Sequence, residues 1–468
     1  MRDDMKAKSA APKRNSSIDM TKGRPISLIL KYSVPLLLGN IMQQLYFIVD
    51  SWVVGNFAPN GDLALAAVGN GTPINYLVSG LFMGLAGGVT VVIAQLFGAG
   101  NSADIRKAAN TIYALVLPIG IGFAALCVLV LPLLLKIMGI PEEIQRETYV
   151  FTVICMSGLI GPLGYNINAG IMQGMGDTKT PLILLICSTV INMALVLLNV
   201  IAFEWGVAGV AVATISAQFI SWVAGIFLIN RRYGNILKIS PFRFKISGSL
   251  LREILRIGIP TAIQMMSVSL GNLLMQRIIN SNGVFFAGGA SCAHRIDSFV
   301  VMPSMTFSNA VTTFVGQNLG AGRLDRIKGG IRAALACGIT AALLIGSLTY
   351  VFAEDLIGIF NGNPEIIKSG SDYLKLLMPF YTILTLMFVY SGIMRGMGKV
   401  LITMVAQISG QAVLRVIVGT ILNKLYGGAT IYYAFVVGWI VGAGIVMVYY
   451  HFGSWKKSIN RYALPQPE

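Results

Sequence analysis

Charged residues are scarce in this sequence. Of its 468 residues only 12% are Asp, Glu, Lys or Arg, whereas 55% are apolar; soluble domains carry a charged share of roughly 25%. A water-soluble chain of this length could not cover its surface with so few charges. A lipid bilayer removes that need, because lipid is itself apolar. The composition therefore predicts an integral membrane protein.

The sequence also has few histidines, no cysteine spacing typical of disulfides or metal sites, and no nucleotide-binding motif. Each of these features excludes a class of function. Two histidines in 468 residues are too few for the clustered nucleophile and base of a membrane-embedded enzyme. The five cysteines lie in apolar runs, without the spacing of a disulfide framework or a metal site. There is no Gly-x-x-x-x-Gly-Lys-Ser/Thr run for a nucleotide. We therefore expect a protein that is not an enzyme and holds no cofactor.

Twelve apolar stretches are long enough to cross a bilayer, which takes roughly 20 residues. We number them as spans 1 to 12, from 28–54 to 429–451. The loops on the side of the two termini hold 27 of the 35 Lys and Arg residues, and the opposite loops hold five. Positive charge marks the cytoplasmic side, so we predict a multi-pass protein of the cell (inner) membrane with both termini cytoplasmic. The formal charge of +16 is then a topology signal, and no nucleic-acid partner is expected.

The chain contains an internal repeat. The segment 170–176 recurs as 392–398, with six of seven residues identical at an offset of 222, and Gln95 recurs as Gln317 at the same offset. A further match is Pro141-Glu142 with Pro364-Glu365. Each half holds six spans and inserts in the same orientation, which is a parallel repeat. The predicted fold is an all-α membrane protein with twelve transmembrane helices in two parallel six-helix bundles, related by a pseudo-two-fold axis along the membrane normal.

The predicted domains follow from the repeat and from the polar stretch between the two halves. They are a cytoplasmic N-terminal tail (1–24), an N-terminal six-helix bundle (25–230), a cytoplasmic linker (231–249), a C-terminal six-helix bundle (250–452) and a cytoplasmic C-terminal tail (453–468). Two parallel bundles that rock against each other around a central cleft can give alternating access.

Several motifs resemble the multidrug and toxic compound extrusion (MATE) transporters. The loop 170–181, ending Gly-Asp-Thr-Lys-Thr-Pro, is similar to the family's loop after helix 4, and 95–100 is similar to its Gln-x-x-Gly-Ala-Gly after helix 2. The runs 43–50 in span 1 and 295–297 in span 8 fit as well. The resemblance covers residues 25–452. It implies an exporter of amphipathic, often cationic, drugs and metabolites, driven by inward flow of protons or sodium ions.

The acidic residues inside the spans mark candidate sites. Only Asp50 and Asp297, of nineteen acids, fall well inside a span, and a buried carboxylate in lipid costs a few kcal/mol or more. Gln43, Tyr46 and Asp50 are spaced i, i+3, i+7, so they share one helix face. We take this face as the candidate ion-coupling and substrate site; a polar seam between helices without a coupling role is the alternative.

The family resemblance adds further residues and one departure. Where the family places an Asn on helix 5 and a Thr on helix 6, this sequence has Asn192 and Thr214. The family's helix-5 Asp is replaced here by Val196, and Asn199, on the same face as Asn192, is a candidate substitute ligand. The alternative interpretation of Asn192, Thr214 and Asn199 is that they form hydrogen bonds between neighbouring helices.

The C-terminal half offers fewer candidates. The helix-7 Glu and helix-10 Asp of some MATE branches are missing here. Asp297 and Arg295 are two residues apart and point to different faces, so we expect Arg415 of span 11 to be the partner of Asp297 in a structural ion pair, with a proton relay as the alternative. His294 lies nearby and is interpreted as a packing residue.

The coupling ion is predicted to be a proton, with sodium as the second choice. A sodium site gains from several oxygen ligands and more than one negative charge, whereas a proton needs one carboxylate. The Val196 departure therefore weakens a sodium site, although Asp50, Asn192 and Thr214 could still form one. The expected partners are small amphipathic or cationic molecules and the lipid bilayer, and the expected state is a monomer. A lipid or lipid-linked precursor flippase of a related two-bundle family is the alternative function.

Overall fold

The computed structural model describes residues 17–58, 61–138, 140, 142–239, 246–453 and 455. Within this part of the chain the structure is helical, and no strand occurs. Pro141 of the repeat, most of both predicted tails and residues 240–245 of the predicted linker lie outside the described residues.

The α-helices are α1 (Pro25–Phe57), α2 (Gly61–Gly98), α3 (Ser102–Met138), α4 (Glu142–Ser157), α5 (Ile160–Gly174), α6 (Lys179–Leu197), α7 (Gly206–Tyr233), α8 (Gly248–Asn280), α9 (Val284–Gly320), α10 (Leu324–Val351), α11 (Ala353–Gly358), α12 (Pro364–Leu377), α13 (Tyr381–Gly396), α14 (Val400–Gln407), α15 (Arg415–Leu425) and α16 (Tyr433–Phe452).

Twelve spans can be assigned to these helices. Among the described residues, eleven helices or helix runs are long and apolar enough to cross a membrane, and the pair α4 and α5, bent by 48°, makes a twelfth. The bend falls at Gly158, a weak helix former. Pro162 adds to it, because a proline has no N–H to donate to the carbonyl four residues earlier. We call α1–α7 the N-half and α8–α16 the C-half.

Helices α2 and α8 form the closest contact between the two halves. A Cβ at Gly84 would overlap the backbone of Ala262, and a Cβ at Gly88 would lie 2.6 Å from the Ile254 carbonyl oxygen. Small residues let two helix backbones approach closely in a membrane. The glycine-rich run in α2 therefore serves to dock the N-half against the C-half.

The loops rich in Lys and Arg mark one end of the molecule, which we call the basic end. At this end, the repeated motif of each half forms a hydrogen bond with the other half. The Gln95 side chain donates to the Gly396 carbonyl of the C-half at 3.0 Å, and the Gln317 side chain donates to the Gly174 carbonyl of the N-half at 3.0 Å. The two glutamines are 222 residues apart, and so are the two glycines. The repeated motifs thus meet across the interface between the halves.

A segment before α1, which we call the strap (residues 18–23), crosses this interface. The Ile18 amide donates to the Gly176 carbonyl of the N-half at 3.0 Å. The Met20 amide donates to the Gln317 side chain at 2.9 Å, and Met20 accepts from the Asn318 side chain at 3.1 Å. Arg326 donates to the Gly23 carbonyl at 2.6 Å. The strap therefore connects both halves at the basic end, with the Met20 side chain fully buried.

Candidate functional site

Every hydrogen bond between the halves, in the part of the chain that the structure describes, lies on the basic side of both intramembrane acids. Tyr32 of α1 bonds Thr313 of α9 at 2.9 Å, and Asn40 bonds Thr306 at 3.3 Å. Asp50 is ten residues beyond Asn40 and Asp297 is nine residues before Thr306, which is about 15 Å along each helix. The halves are closed at the basic end, and the two acids lie beyond that closure.

The α1 stripe is only partly buried. Asp50 is 9% exposed, Tyr46 is half-buried, and Gln43 is exposed. The Tyr46 hydroxyl and the Asp50 carboxyl lie one turn apart on α1 and close enough to interact electrostatically. Among the described residues, Gln43 has no hydrogen-bond partner. The structure thus brings Tyr46 and Asp50 into contact and places Gln43 outside their network.

Thr214 connects this stripe to two other helices. Its hydroxyl oxygen accepts from the Tyr46 hydroxyl at 3.0 Å and from the Asn192 amide nitrogen at 3.4 Å. These residues come from α7, α1 and α6 respectively. The side-chain oxygen of Asn192 is buried and has no hydrogen-bond donor within the described residues. A free acceptor oxygen and a carboxylate attached to one network can hold a proton or a cation.

Asn199 and Val196 lie apart from this network. Asn199 sits in a π-helical turn after α6, where its amide nitrogen donates to the Gly209 carbonyl at 3.0 Å. The bond joins two neighbouring elements of the N-half. Val196 is 1% exposed and belongs to an apolar cluster with Val53 and Val54 of α1. The position of the family's second acid is therefore filled by packing in this chain.

Two residues near Asp50 were missed by the sequence analysis. The Asn75 side chain of α2 lies next to the Cys155 thiol, and Cys155 lies close enough to Asp50 to interact with it electrostatically. The signal that could have identified Asn75 was the repeat, since Asn75 precedes Asp297 by the offset of 222. The two halves therefore carry polar side chains at equivalent positions of α2 and α9.

The C-half has its own polar cluster around Asp297. The Tyr373 hydroxyl lies close enough to this carboxyl group to interact with it electrostatically, and His294 Nδ1 lies 3.8 Å from it. Asp297 and Arg415 interact electrostatically without forming a direct ion pair. Arg415 instead donates to the Asn272 side chain at 2.7 Å.

The two C-half arginines both lie against aromatic rings. The Arg415 guanidinium lies over the Phe435 ring at 4.9 Å from its centroid, and Arg295 lies 6.0 Å from the centroid of Phe360. Arg415 is buried, whereas Arg295 is exposed. The structure therefore groups Arg415 with Asp297 in one buried cluster and places Arg295 outside it.

Comparison with known proteins gives a consistent result. The MatE family model matches residues 35–198 and 260–421, which is one segment in each half. The chain is 28% identical over 442 residues to the probable multidrug resistance protein YpnP of Bacillus subtilis (strain 168), covering 94% of this chain and 97% of that protein. It is 28% identical over 383 residues to the probable multidrug resistance protein NorM of Thermotoga maritima, covering 81% of each.

A solved structure shares the fold. It is described as the outward-facing conformation of a multidrug resistance MATE family transporter of the MOP superfamily. The likeness has a TM-score of 0.86 at 19% identity and covers 97% of this chain and 99% of the other. The predicted fold class, an all-α membrane protein of two six-helix bundles, is confirmed.

Proposed function

We propose, from the premise that this chain belongs to the MatE family of membrane transporters, that it is a secondary active exporter of amphipathic, often cationic, small molecules. The observation that carries the proposal is the site around Asp50. Its carboxylate lies beyond the closed interface of two bundles and next to Tyr46, whose hydroxyl donates to Thr214, and Thr214 also accepts from Asn192. A buried carboxylate in a membrane helix favours an ion or a cationic ligand.

The orientation of the protein in the membrane follows from the charge asymmetry. We take the basic end as cytoplasmic, because in the sequence the loops on the side of the two termini hold 27 of the 35 Lys and Arg residues. The bundles 25–230 and 250–452, joined by the linker 231–249, are the units that move in this scheme. The closed basic end then corresponds to a state that is open away from the cytoplasm. Reopening requires the glutamine bonds and the strap to separate.

The coupling ion in this proposal is a proton. Asp50 is the carboxylate of the N-half site, and the apolar packing of Val196 removes a second negative charge that sodium would favour. The unpaired oxygen of Asn192 is the feature that keeps sodium as the second choice. In the exchange we propose, Asp50 holds either a proton or the cationic group of the drug, and each displaces the other. A monomer is sufficient, since one chain contains both bundles.

Uptake of a cationic dye into everted vesicles tests the function and the ion together. With wild-type protein, an imposed pH gradient without sodium should drive uptake. Uptake that needs a sodium gradient instead would reject proton coupling while leaving export intact. An absence of uptake under both gradients would argue against this class of substrate.

Asp50→Asn is the matching variant. We expect it to abolish gradient-driven uptake at unchanged expression, because the amide neither binds a proton nor attracts a cation. Asp355→Asn is the control, since Asp355 is exposed on the short helix α11. Uptake by the Asp50 variant at the level of this control would remove Asp50 from the mechanism.

A further inference from the structure

A groove lies between the ends of α8 and α15, far from the basic end. It encloses about 340 Å³, in the size range of small-ligand sites. Its lining residues are Leu274, Arg277, Ile278, Ser281, Val416, Thr420, Asn423 and Lys424. None of them belongs to the Asp50 network or to the Asp297 cluster.

Two cations from different helices line this groove. Arg277 is in the last turn of α8 and Lys424 is in the last turn of α15. Within the described residues neither forms an ion pair or a hydrogen bond. Cations are rare away from the basic end. Only eight of the 35 Lys and Arg residues lie in the opposite loops or inside spans. Two of these eight meet in one groove, so the groove is a local concentration of positive charge.

Three of the other lining residues of the groove are apolar. Leu274 and Val416 precede Arg277 and Lys424 on their helices and so line the part of the groove nearer the bilayer centre, and Ile278 lies next to Arg277. The flanking side chains Leu270, Ile417 and Ile421 are 52%, 49% and 49% exposed. Exposed large apolar side chains on a membrane helix contact acyl chains. The groove therefore runs from hydrocarbon depth up to the two cations.

The upper part of the groove is held in place by amide side chains. Asn282 donates to the Asn423 side chain at 2.9 Å, and Asn423 donates to the Ser281 hydroxyl at 3.2 Å. The Gly428 amide donates to Asn282 at 3.2 Å. These bonds join the end of α8 to the end of α15, which are the two helix ends that carry Arg277 and Lys424.

We propose that this groove binds an anionic phospholipid. The phosphodiester lies between Arg277 and Lys424, and the upper acyl chain lies along Leu274 and Val416. Arginine and lysine bind phosphate oxygens through charge-assisted hydrogen bonds, and basic pockets between membrane helices bind lipid headgroups. The apolar wall selects a lipid over a free phosphate. The site is independent of the transport proposal, because it uses none of the same residues.

The test measures binding of phosphatidylglycerol to the purified full-length protein in detergent by native mass spectrometry, with phosphatidylcholine as the neutral lipid. Each cation near a membrane surface contributes about 1 kcal/mol, so Arg277→Gln with Lys424→Gln should weaken phosphatidylglycerol binding roughly thirtyfold. Lys136→Gln with Lys368→Gln is the control, because it removes two cations from the same side of the molecule outside the groove. The control should bind like the wild type.

A variant that exchanges the two cations but keeps both charges shows whether weaker binding is caused by the lost charge or by misfolding. Arg277→Lys with Lys424→Arg should keep most of the preference for phosphatidylglycerol. The proposal is overturned if the Gln variant and the control bind this lipid equally, which would make the two cations interfacial anchors only. It is also overturned if inorganic phosphate displaces the lipid at equal concentration, or if phosphatidylcholine binds as tightly as phosphatidylglycerol.

Discussion

The Thr214 hydroxyl accepts hydrogen bonds from two other helices, so its removal tests whether the network supports transport. Thr214→Val keeps the shape of the side chain and leaves the Tyr46 hydroxyl and the Asn192 amide without this acceptor. An unmade buried hydrogen bond costs about 1–3 kcal/mol, so we expect the rate of dye efflux to fall roughly tenfold. The measurement is efflux from whole cells at matched expression.

Thr189→Val is the matched control for this substitution. Thr189 lies on α6, and its hydroxyl donates only to the Leu185 carbonyl of its own helix at 2.9 Å. Its loss should leave efflux near the wild-type rate. Equal efflux from the two variants would mean that the Thr214 bonds serve packing alone.

Spacing along one helix could be read from the sequence, but partners across helices could not. The i, i+4 relation of Tyr46 and Asp50 is a property of α1 itself, and the structure shows them in contact. The bond of Asn199 to Gly209 depends on a π-helical turn that no residue pattern announced. The bond of Arg415 to Asn272 likewise depends on the approach of α8 to α15. Candidate residues such as Asp50 and Thr214 were therefore predictable, whereas Asn75, Asn272 and the pairing of polar residues across helices were not.

At the scale of elements, the two repeated glutamines are equivalent in sequence and unequal in structure. Gln95 makes one bond across the interface, to Gly396. Gln317 bonds Gly174 and also accepts from the Met20 amide of the strap. We expect Gln317→Ala to open the basic end more than Gln95→Ala, because it breaks two bonds instead of one and each lost buried bond costs about 1–3 kcal/mol.

Thiol labelling measures this difference. Ala94 is fully buried, and a Cβ at Gly316 of the other half would lie 3.0 Å from it. Ala94→Cys, in a background without the five native cysteines, should therefore react slowly when the basic end is closed. Gln317→Ala should raise the labelling rate by roughly tenfold and Gln95→Ala by less. Equal rates in the two variants would show that the strap adds nothing to the closure.

The recurrence of 170–176 as 392–398 appears in the structure as a repeated glycine turn, whereas the break in span 4 was not expected from the sequence. Gly176 and Gly398 have positive φ angles of 84° and 71°, which glycine adopts without strain, so their recurrence in sequence reflects one turn used twice. The separation of α4 from α5 lies inside an apolar run of ordinary composition. Glycine and proline in membrane helices are often tolerated without a break, and the sequence alone does not distinguish the two outcomes.

At the scale of the whole molecule, the charge asymmetry predicts which face each loop occupies. Cysteines introduced at positions 235 and 60 should be labelled from opposite sides of the membrane, with 235 cytoplasmic. Asn235 is exposed in the turn after α7, and position 60 is outside the described residues. An impermeant thiol reagent added to intact cells and to everted vesicles gives the answer, and labelling of both positions from one side would contradict the topology.

The two-bundle fold was predictable because hydrophobic length and an internal repeat are properties of the sequence itself. Composition required a bilayer, and the offset of 222 required two similar halves. The strap was not predictable on the same basis. The bonds of Met20 to Gln317 and Asn318 join positions that no repeat relates, so the symmetric halves carry one asymmetric element.

The strap also sets an order of events during synthesis. Met20 leaves the ribosome 297 residues before its partner Gln317. At cellular rates of roughly 5–20 residues per second, this is a delay of about 15–60 s. During that time the N-half is fully synthesised while the segment in front of it has nothing to dock against on the C-half. Sealing of this end is therefore a late step of biogenesis, and a nascent N-half is left with the carbonyl of Gly174 uncovered until α9 has been inserted.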